Sequence, residues 1–543
     1  MDSQCSPPLH IAFLPFLAPG HMVPLTEMAR LVAARGPRVT IITTPSNALL
    51  LRPAVDKVAA AGHHIRLRLL PFPSKEVGLP DGLENFVAVL DQDTATKLYR
   101  GVGLLRPHIE ALLTELRPDC IVSDNFYSWT AEFASRVRTP RLAFQGTCIF
   151  AAALEDAILR HSPHRKVGSD SDPFVVPGLP DPITMTRPQL PDFIQKTTQF
   201  TKTVEEWREA ESKSFGVLIN AFYEMEPAYA EHYRKVMGKR VYHIGPTVLM
   251  HGDAGDKAHR IHETVVGENE LLTWLDSKQP ESVVYVSFGS GCRFPDEQLA
   301  EIAGGLDSAG HPFIWVVVRD DKEIEEDEEE TKWLPEGFEE KMKKEGKGVI
   351  VRGWAPQVLI LGHPAIGCFV THCGWNSVVE GISAGVPMVT WPLYSEQFYN
   401  ERLVIQMLRI GVEVGSMEWA LWVHVGRKLI ERQRIEAAVR RVMDGGDEAR
   451  ELRRRAASLA EVAKMAVREG GSSYKNLTAL IEDLQQNRAA AVADATDTDV
   501  AAVATAPPEV AAAAVAAASP PAAPAVAAEA KVDKGMNPEP SCN

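Results

Sequence analysis

The sequence predicts an α/β protein made of two doubly wound, Rossmann-like domains. Three observations carry that expectation. The first half alternates strand-like and helix-like segments, a second such series begins at Ser282, and Gly and Pro break all periodicity between them, from His243 to Lys257. A chain of 543 residues, 45% of them apolar, exceeds what one core usually organises and has enough to fill two.

The first series opens with "HIAFLPF", a buried-strand pattern over His10 to Leu14. Helical spacing follows from Val23 to Arg35, then "RVTIITT" from Arg38 to Thr44. Strand, helix and strand at this interval form a right-handed βαβ unit with parallel strands. "DCIVSD" (Asp119 to Asp124), the helical "WTAEFASRV" and "PRLAFQG" repeat the unit. The second series runs from "SVVYVSFGS" (Ser282 to Ser290) through a helix pattern over Asp296 to Ala309 to "PFIWVVV". "GVIVRGW", "AIGCFVTH" and "VPMVTWP" continue it, separated by helix-sized segments. The expected domains are therefore 1–245 and 266–486, joined by a linker over 246–265. After Gln486 the composition turns to Ala, Val, Pro and Thr. Alanine buries too little area to offset its ordering and proline interrupts helix, so 487–543 is expected to be a disordered tail.

Charge and cysteine usage exclude some functions. The net charge of −15 comes partly from the run Asp320 to Glu330, expected to be a solvated loop, and nucleic acid is not an expected partner because phosphate backbones demand clustered Lys and Arg. The seven cysteines are scattered and form no C-x-x-C pair, the pattern of reduced thiols. The amino terminus lacks a secretory pattern, and no apolar run approaches the roughly 20 residues that span a bilayer. A cytoplasmic chain without a transmembrane segment is the expectation.

The chemistry concentrates in Trp354 to Gln397. There "AIGCFVT" reads as a strand and "NSVVEGISA" as a helix, so His372, Gly374, Trp375, Asn376 and Ser377 crowd a strand-to-helix turn. Free backbone N–H groups and the helix dipole at such a turn favour an anion; Gly374 permits close approach, and His372 can donate a further hydrogen bond. A diphosphate suits it. Glu380 lies one helical turn beyond Asn376 and can accept from paired ribose hydroxyls, while Trp354 offers a ring on which a base can stack. Glu396 and Gln397 present groups suited to sugar hydroxyls. His21 stands just past Pro19-Gly20, where the first strand gives way to the first helix. That edge is where doubly wound sheets hold ligands, and Asp124 ends another strand there. A dinucleotide-dependent oxidoreductase is disfavoured, since no G-x-G-x-x-G turn follows either domain's first strand.

"HCGWNS" with its closing "EQ" resembles the signature box of the plant family 1 UDP-dependent glycosyltransferases. "APGHMVP", "FVVPGLPD", "VSFGS", "GWAPQ" and "GGSSYKNL" also fit, so the resemblance extends from Leu9 to Leu484. "ITTPSNA" and "GLPDPITMTRPQLP" are similar to the branch that acts on flavonoids, terpenoids, steroids and hormones. The resemblance implies the GT-B architecture, two facing Rossmann-like domains with a cleft between them, and a last helical segment over Ser472 to Gln486 that packs back on the first domain. It also implies an inverting, metal-independent transfer. Trp354 would stack on uracil, the backbone of Ala355 would pair with its edge, and Gln357 and Glu380 would hold the ribose. His372, Asn376 and Ser377 would bind the diphosphate, with Ser290 nearby and His372 adding to the positive field. Trp375, Glu396 and Gln397 would contact the sugar, and Gln397 favours UDP-glucose as co-substrate. His21 would be the general base, with Asp124 fixing its tautomer and stabilising the imidazolium. Loops of the first domain, with Phe126, Phe144 and Phe150, would enclose a small hydrophobic hydroxylated acceptor. No cofactor or metal is implied, and a monomer is expected. The alternatives are the same fold with UDP-galactose, UDP-xylose or UDP-rhamnose, or a silent member that only binds small molecules.

Overall fold

Runs of β-branched and aromatic residues buried on both faces give the interior strands of parallel sheets. The first such strand is β1, His10–Leu14, with every residue buried. The computed structural model describes residues 7–89, 91–250, 268–318, 333–421 and 428–504. In chain order the next strands are β2 (Arg38–Thr43), β3 (Ile65–Leu69), β4 (Cys120–Asp124), β5 (Arg141–Gln145), the short β6 (Phe174–Val175) and β7 (Thr184–Met185), then β8 (Gly216–Ile219) and β9 (Arg240–His243). All but β6 and β7 join a seven-stranded sheet of order β3-β2-β1-β4-β5-β8-β9, parallel throughout. β6 and β7 make a separate antiparallel pair. The second sheet holds β10 (Val283–Ser287), β11 (Phe313–Val317), β12 (Gly348–Arg352), β13 (Ile366–Thr371), β14 (Met388–Thr390) and β15 (Gly411–Glu413). Its order is β12-β11-β10-β13-β14-β15, again parallel.

These orders fix where ligands can sit. Strand order reverses at β1/β4 in the first sheet and at β10/β13 in the second, and a crevice opens beyond the carboxyl ends of such pairs. His21 follows β1 and Asp124 ends β4; Ser290 follows β10 and His372 follows β13.

Three expectations are corrected. The first helix begins at Pro19, not Val23, because proline at the first helical position needs no N–H partner; His21 therefore lies inside the first turn. Helix continues past Gln486: the last helix runs Ser472–Ala504, since alanine is the best helix former and no proline occurs between Ser472 and Pro507. The 246–265 linker is not wholly irregular, for Thr247–Leu249 forms a turn of 3-10 helix with Thr247 and Val248 buried. Residues 251–265 of the linker, the acidic run Asp320 to Glu330 and the tail from residue 505 lie outside the described residues.

The chain up to Leu484 forms one compact unit and residues from Gln485 a second. Within the first unit, Leu477, Leu480 and Leu484 share a core with Leu9, Ile11 and Phe13 of the first domain. Polar contacts reinforce this packing: Tyr242 donates to Asp483 at 2.7 Å, and the Arg35 guanidinium sits 3.9 Å above the Tyr474 ring. Among the described residues no helix is long and apolar enough to cross a membrane.

Candidate active site

A cleft of about 1610 Å³ runs between the two sheets' carboxyl edges and is lined by both domains. Single-ligand pockets occupy about 300–1,000 Å³, so the cleft has room for a donor and an acceptor together.

On the first-domain side, His21 Nδ1 lies 2.7 Å from Asp124 Oδ2. Asp124 is 1% exposed, and its other oxygen accepts the Phe126 N–H at 3.0 Å, which leaves the carboxylate one orientation. The pair thus presents Nδ1–H to the carboxylate and leaves Nε2 for a ligand. Burial alone would push the imidazole down, but the charge and hydrogen bond of Asp124, aided by Glu396, outweigh it and hold His21 above its ordinary 6.5. Gly146 makes the ring's place possible: a Cβ there would stand 2.8 Å from His21 Cε1.

On the second-domain side, Thr371 ends β13, Cys373 turns the chain through a left-handed φ of 64°, and the helix Trp375–Ala384 starts after Gly374. No side chain caps this helix, so its first N–H groups remain available to a ligand. His372 is pressed between two glycines; a Cβ on Gly374 would come 2.5 Å from its ring and one on Gly289 2.8 Å. Burial pushes His372 down to about 4, so it is a neutral donor at physiological pH. The expected positive field therefore comes from the helix terminus and not from this imidazole.

The residues expected to hold the ribose converge. Gln357 Nε2 donates to Glu380 Oε2 at 2.8 Å and to Ser377 Oγ at 3.1 Å, and Gln357 Oε1 accepts from Tyr285 at 3.2 Å. Trp354, Ala355 and Ser290 line the same cleft. At the sugar end, Gln397 Oε1 already accepts the N–H groups of Leu393 and Tyr394 at 2.9 and 3.1 Å, so this side chain offers a ligand only its NH₂ group. Glu396 is raised by burial and accepts from Asn400 at 3.2 Å.

Two of the expected donor residues tie the domains together. Trp375 is 3% exposed and spends its indole N–H on the carbonyl of Asn220 at 3.0 Å, which corrects any sugar contact through that group. Asn376 Nδ2 donates to the Gly20 carbonyl at 2.8 Å, next to His21, rather than pointing freely at a phosphate.

The aromatic expectations divide. Phe126 lines the cleft, 4.9 Å from the His21 ring and stacked on Trp207 at 4.4 Å. Phe144 and Phe150 do not line it: Phe144 lies in the first sheet's core, and Phe150 packs on Tyr229 at 4.7 Å. Phe16, Tyr99 and Trp207 line the cleft from the first domain and lie outside the sequence expectation. Phe16 had a signal, since it sits between β1 and His21 in "LPFLAPGH"; nothing local marked Tyr99. Among the described residues no group of three His, Cys, Asp or Glu side chains could hold a metal ion.

The family model described as "UDP-glucoronosyl and UDP-glucosyl transferase" matches residues 194–420. UDP-glucosyl transferase 73CC6 of Saponaria officinalis is 56% identical over 89% of this chain and 98% of its own length. UDP-glucose flavonoid 3-O-glucosyltransferase 7 of Fragaria ananassa is 50% identical over 89% and 98%. Among solved structures, Glycyrrhiza uralensis UGT73P12, complexed with glycyrrhetinic acid 3-O-monoglucuronide, superposes with a TM-score of 0.84 at 40% identity, covering 91% of this chain and 99% of that one.

Proposed function

Since the chain belongs to the plant family 1 UDP-dependent glycosyltransferases and has their GT-B fold, we propose that it moves glucose from UDP-glucose, with inversion, to a hydroxyl of a small hydrophobic plant metabolite. The observation that carries this reading is the His21–Asp124 pair at one sheet's switch point, facing the donor residues at the other's. His21 Nε2 takes the acceptor's hydroxyl proton as its oxygen attacks the anomeric carbon. Asp124 keeps the proton on Nδ1 and stabilises the imidazolium that forms. The new C–O bond forms on the first-domain side while the bond to the diphosphate breaks on the second-domain side, and attack from the opposite face inverts the carbon. The uncapped helix start and the neutral His372 donate hydrogen bonds to the departing UDP. Trp354 and Ala355 hold the base, Gln357 and Glu380 the ribose.

Gln397 supports glucose as the transferred sugar through its NH₂ group. The apolar wall of Phe16, Tyr99, Phe126 and Trp207 supports a flat or polycyclic acceptor, and the strawberry relative's flavonoid agrees with it. A cytoplasmic location fits the five described cysteines, all of them buried free thiols. The test is competition among UDP-glucose, UDP-galactose, UDP-xylose and UDP-rhamnose against a panel of hydroxylated metabolites, with the anomeric configuration of the product read by NMR. A β-glucoside as the main product is expected. An α-glucoside, or a preference for another sugar, would overturn the corresponding part of the proposal.

A further inference from the structure

The cleft contains polar groups that the transfer chemistry leaves unused. Glu155 lies on the helix Ile149–His161 and lines the cleft, yet it makes no hydrogen bond among the described residues. Facing it from the second domain is Tyr399, on the helix Gln397–Arg402 that packs against the first. Tyr399 is 1% exposed, it lines the same cleft, and its hydroxyl has no hydrogen-bond partner among the described residues. A buried phenol without a partner is costly, and the usual reason for tolerating it is a ligand or water that completes the bond. The neighbours of Glu155 do not complete its bonding. Asp156 is bound by Arg160 and Arg208, and Glu211 by Gln145 and Tyr233.

We propose that Glu155 and Tyr399, one from each domain, form a polar subsite that recognises a second, non-reacting hydroxyl of the acceptor. The assignment to the acceptor rests on the function proposed above and on the wall that surrounds Glu155. The helix Gln199–Ser212 brings Arg208 and Glu211 to it and carries Trp207 of the aromatic wall. The chemistry selects a neutral hydroxyl. Burial, with Glu396 and Glu211 nearby and only Arg208 opposing them, raises Glu155 to about 7, so near neutrality it both donates and accepts. A ligand carboxylate would meet like charge there, while a hydroxyl can donate to the carboxyl and accept from the phenol.

The probes are chrysin, apigenin and luteolin, flavones that differ stepwise by one remote hydroxyl, titrated calorimetrically into the UDP-loaded protein. Wild type should bind luteolin at least about tenfold more tightly than chrysin, the discrimination expected where a buried polar pair meets or misses its hydroxyl. Tyr399→Phe and Glu155→Leu should each compress that ladder to within about threefold, mainly by weakening luteolin, and Glu155→Gln, which still donates and accepts, should retain most of it. Unchanged UDP affinity identifies the variants as folded. A ladder that is absent in wild type, or that survives in both Tyr399→Phe and Glu155→Leu, overturns the subsite. Intact discrimination without any glucose transfer overturns the proposed function and leaves the subsite standing.

Discussion

His21 and His372 both stand at the switch point of their own sheet, on opposite members of the strand pair: His21 follows the first strand of its domain, β1, and His372 the fourth strand of its domain, β13. Each follows the strand at its sheet's switch point, and each has a glycine pressed against its ring. Their surroundings then diverge. His21 has a carboxylate 2.7 Å away and is held above its ordinary value; among the described residues His372 has none and its Nδ1 lacks a partner, and burial takes it down to about 4. The same side chain on the same kind of edge is biased toward its charged form in one domain and toward its neutral form in the other. What separates the two is one acidic residue at the end of the neighbouring strand: β4 finishes in Asp124, whereas β10 finishes in Ser287.

The sharpest way to break this comparison is His21→Ala. Loss of a general base should lower kcat/KM for a hydroxyl acceptor by about 100-fold or more, with UDP affinity by calorimetry nearly unchanged. A rate near wild type would show that no proton passes through this ring.

Asp124→Asn should cost somewhat less, about 10- to 100-fold, and should also move the pH profile. Protonated His21 is inactive as a base, so in wild type kcat/KM should rise with pH through a midpoint above 6.5. Removing the carboxylate removes the influence that raises His21, so the acid limb of the variant should shift to lower pH. A limb that stays in place would assign it to another group.

His372→Ala should weaken UDP binding by about tenfold through loss of one hydrogen bond to the diphosphate. Because His372 is already neutral, wild-type UDP affinity should carry no His372 titration between about pH 6 and 8. A proton uptake linked to UDP binding that disappears in His372→Ala would reverse this assignment.

The smallest effect is expected from Gln397→His. With the carbonyl of Gln397 bound by Leu393 and Tyr394, the substitution removes one NH₂ donor and a loop anchor. The ratio of UDP-glucose to UDP-galactose use should fall about threefold to tenfold. An unchanged ratio would place sugar selection elsewhere.

The parts of the fold that were legible were those set by periodicity: buried strands, amphipathic helices, and hence the two edges that carry His21, Asp124 and His372. Side-chain direction at the cleft was less legible. Phe144 and Phe126 are close in sequence and equally apolar, but Phe144 is a strand residue turned into the sheet's core while Phe126 lies in the loop after β4. Hydrophobicity alone does not distinguish a core face from a ligand face. Interdomain bonds were not legible either. The place of Asn376 at a helix start suggests a phosphate, and no local pattern reports that the Gly20 carbonyl of the other domain stands 2.8 Å away.

The bonds from Trp375 to Asn220 and from Asn376 to Gly20 have a mechanical meaning. Neighbouring residues at the start of one helix grip a loop and the first turn of a helix in the opposite domain, like two stitches set side by side. Stitches at a single place allow the lobes to rock about it but resist their parting there. The span between the turn that carries His21 and the helix start that follows His372 is thereby gauged by the protein's own bonds.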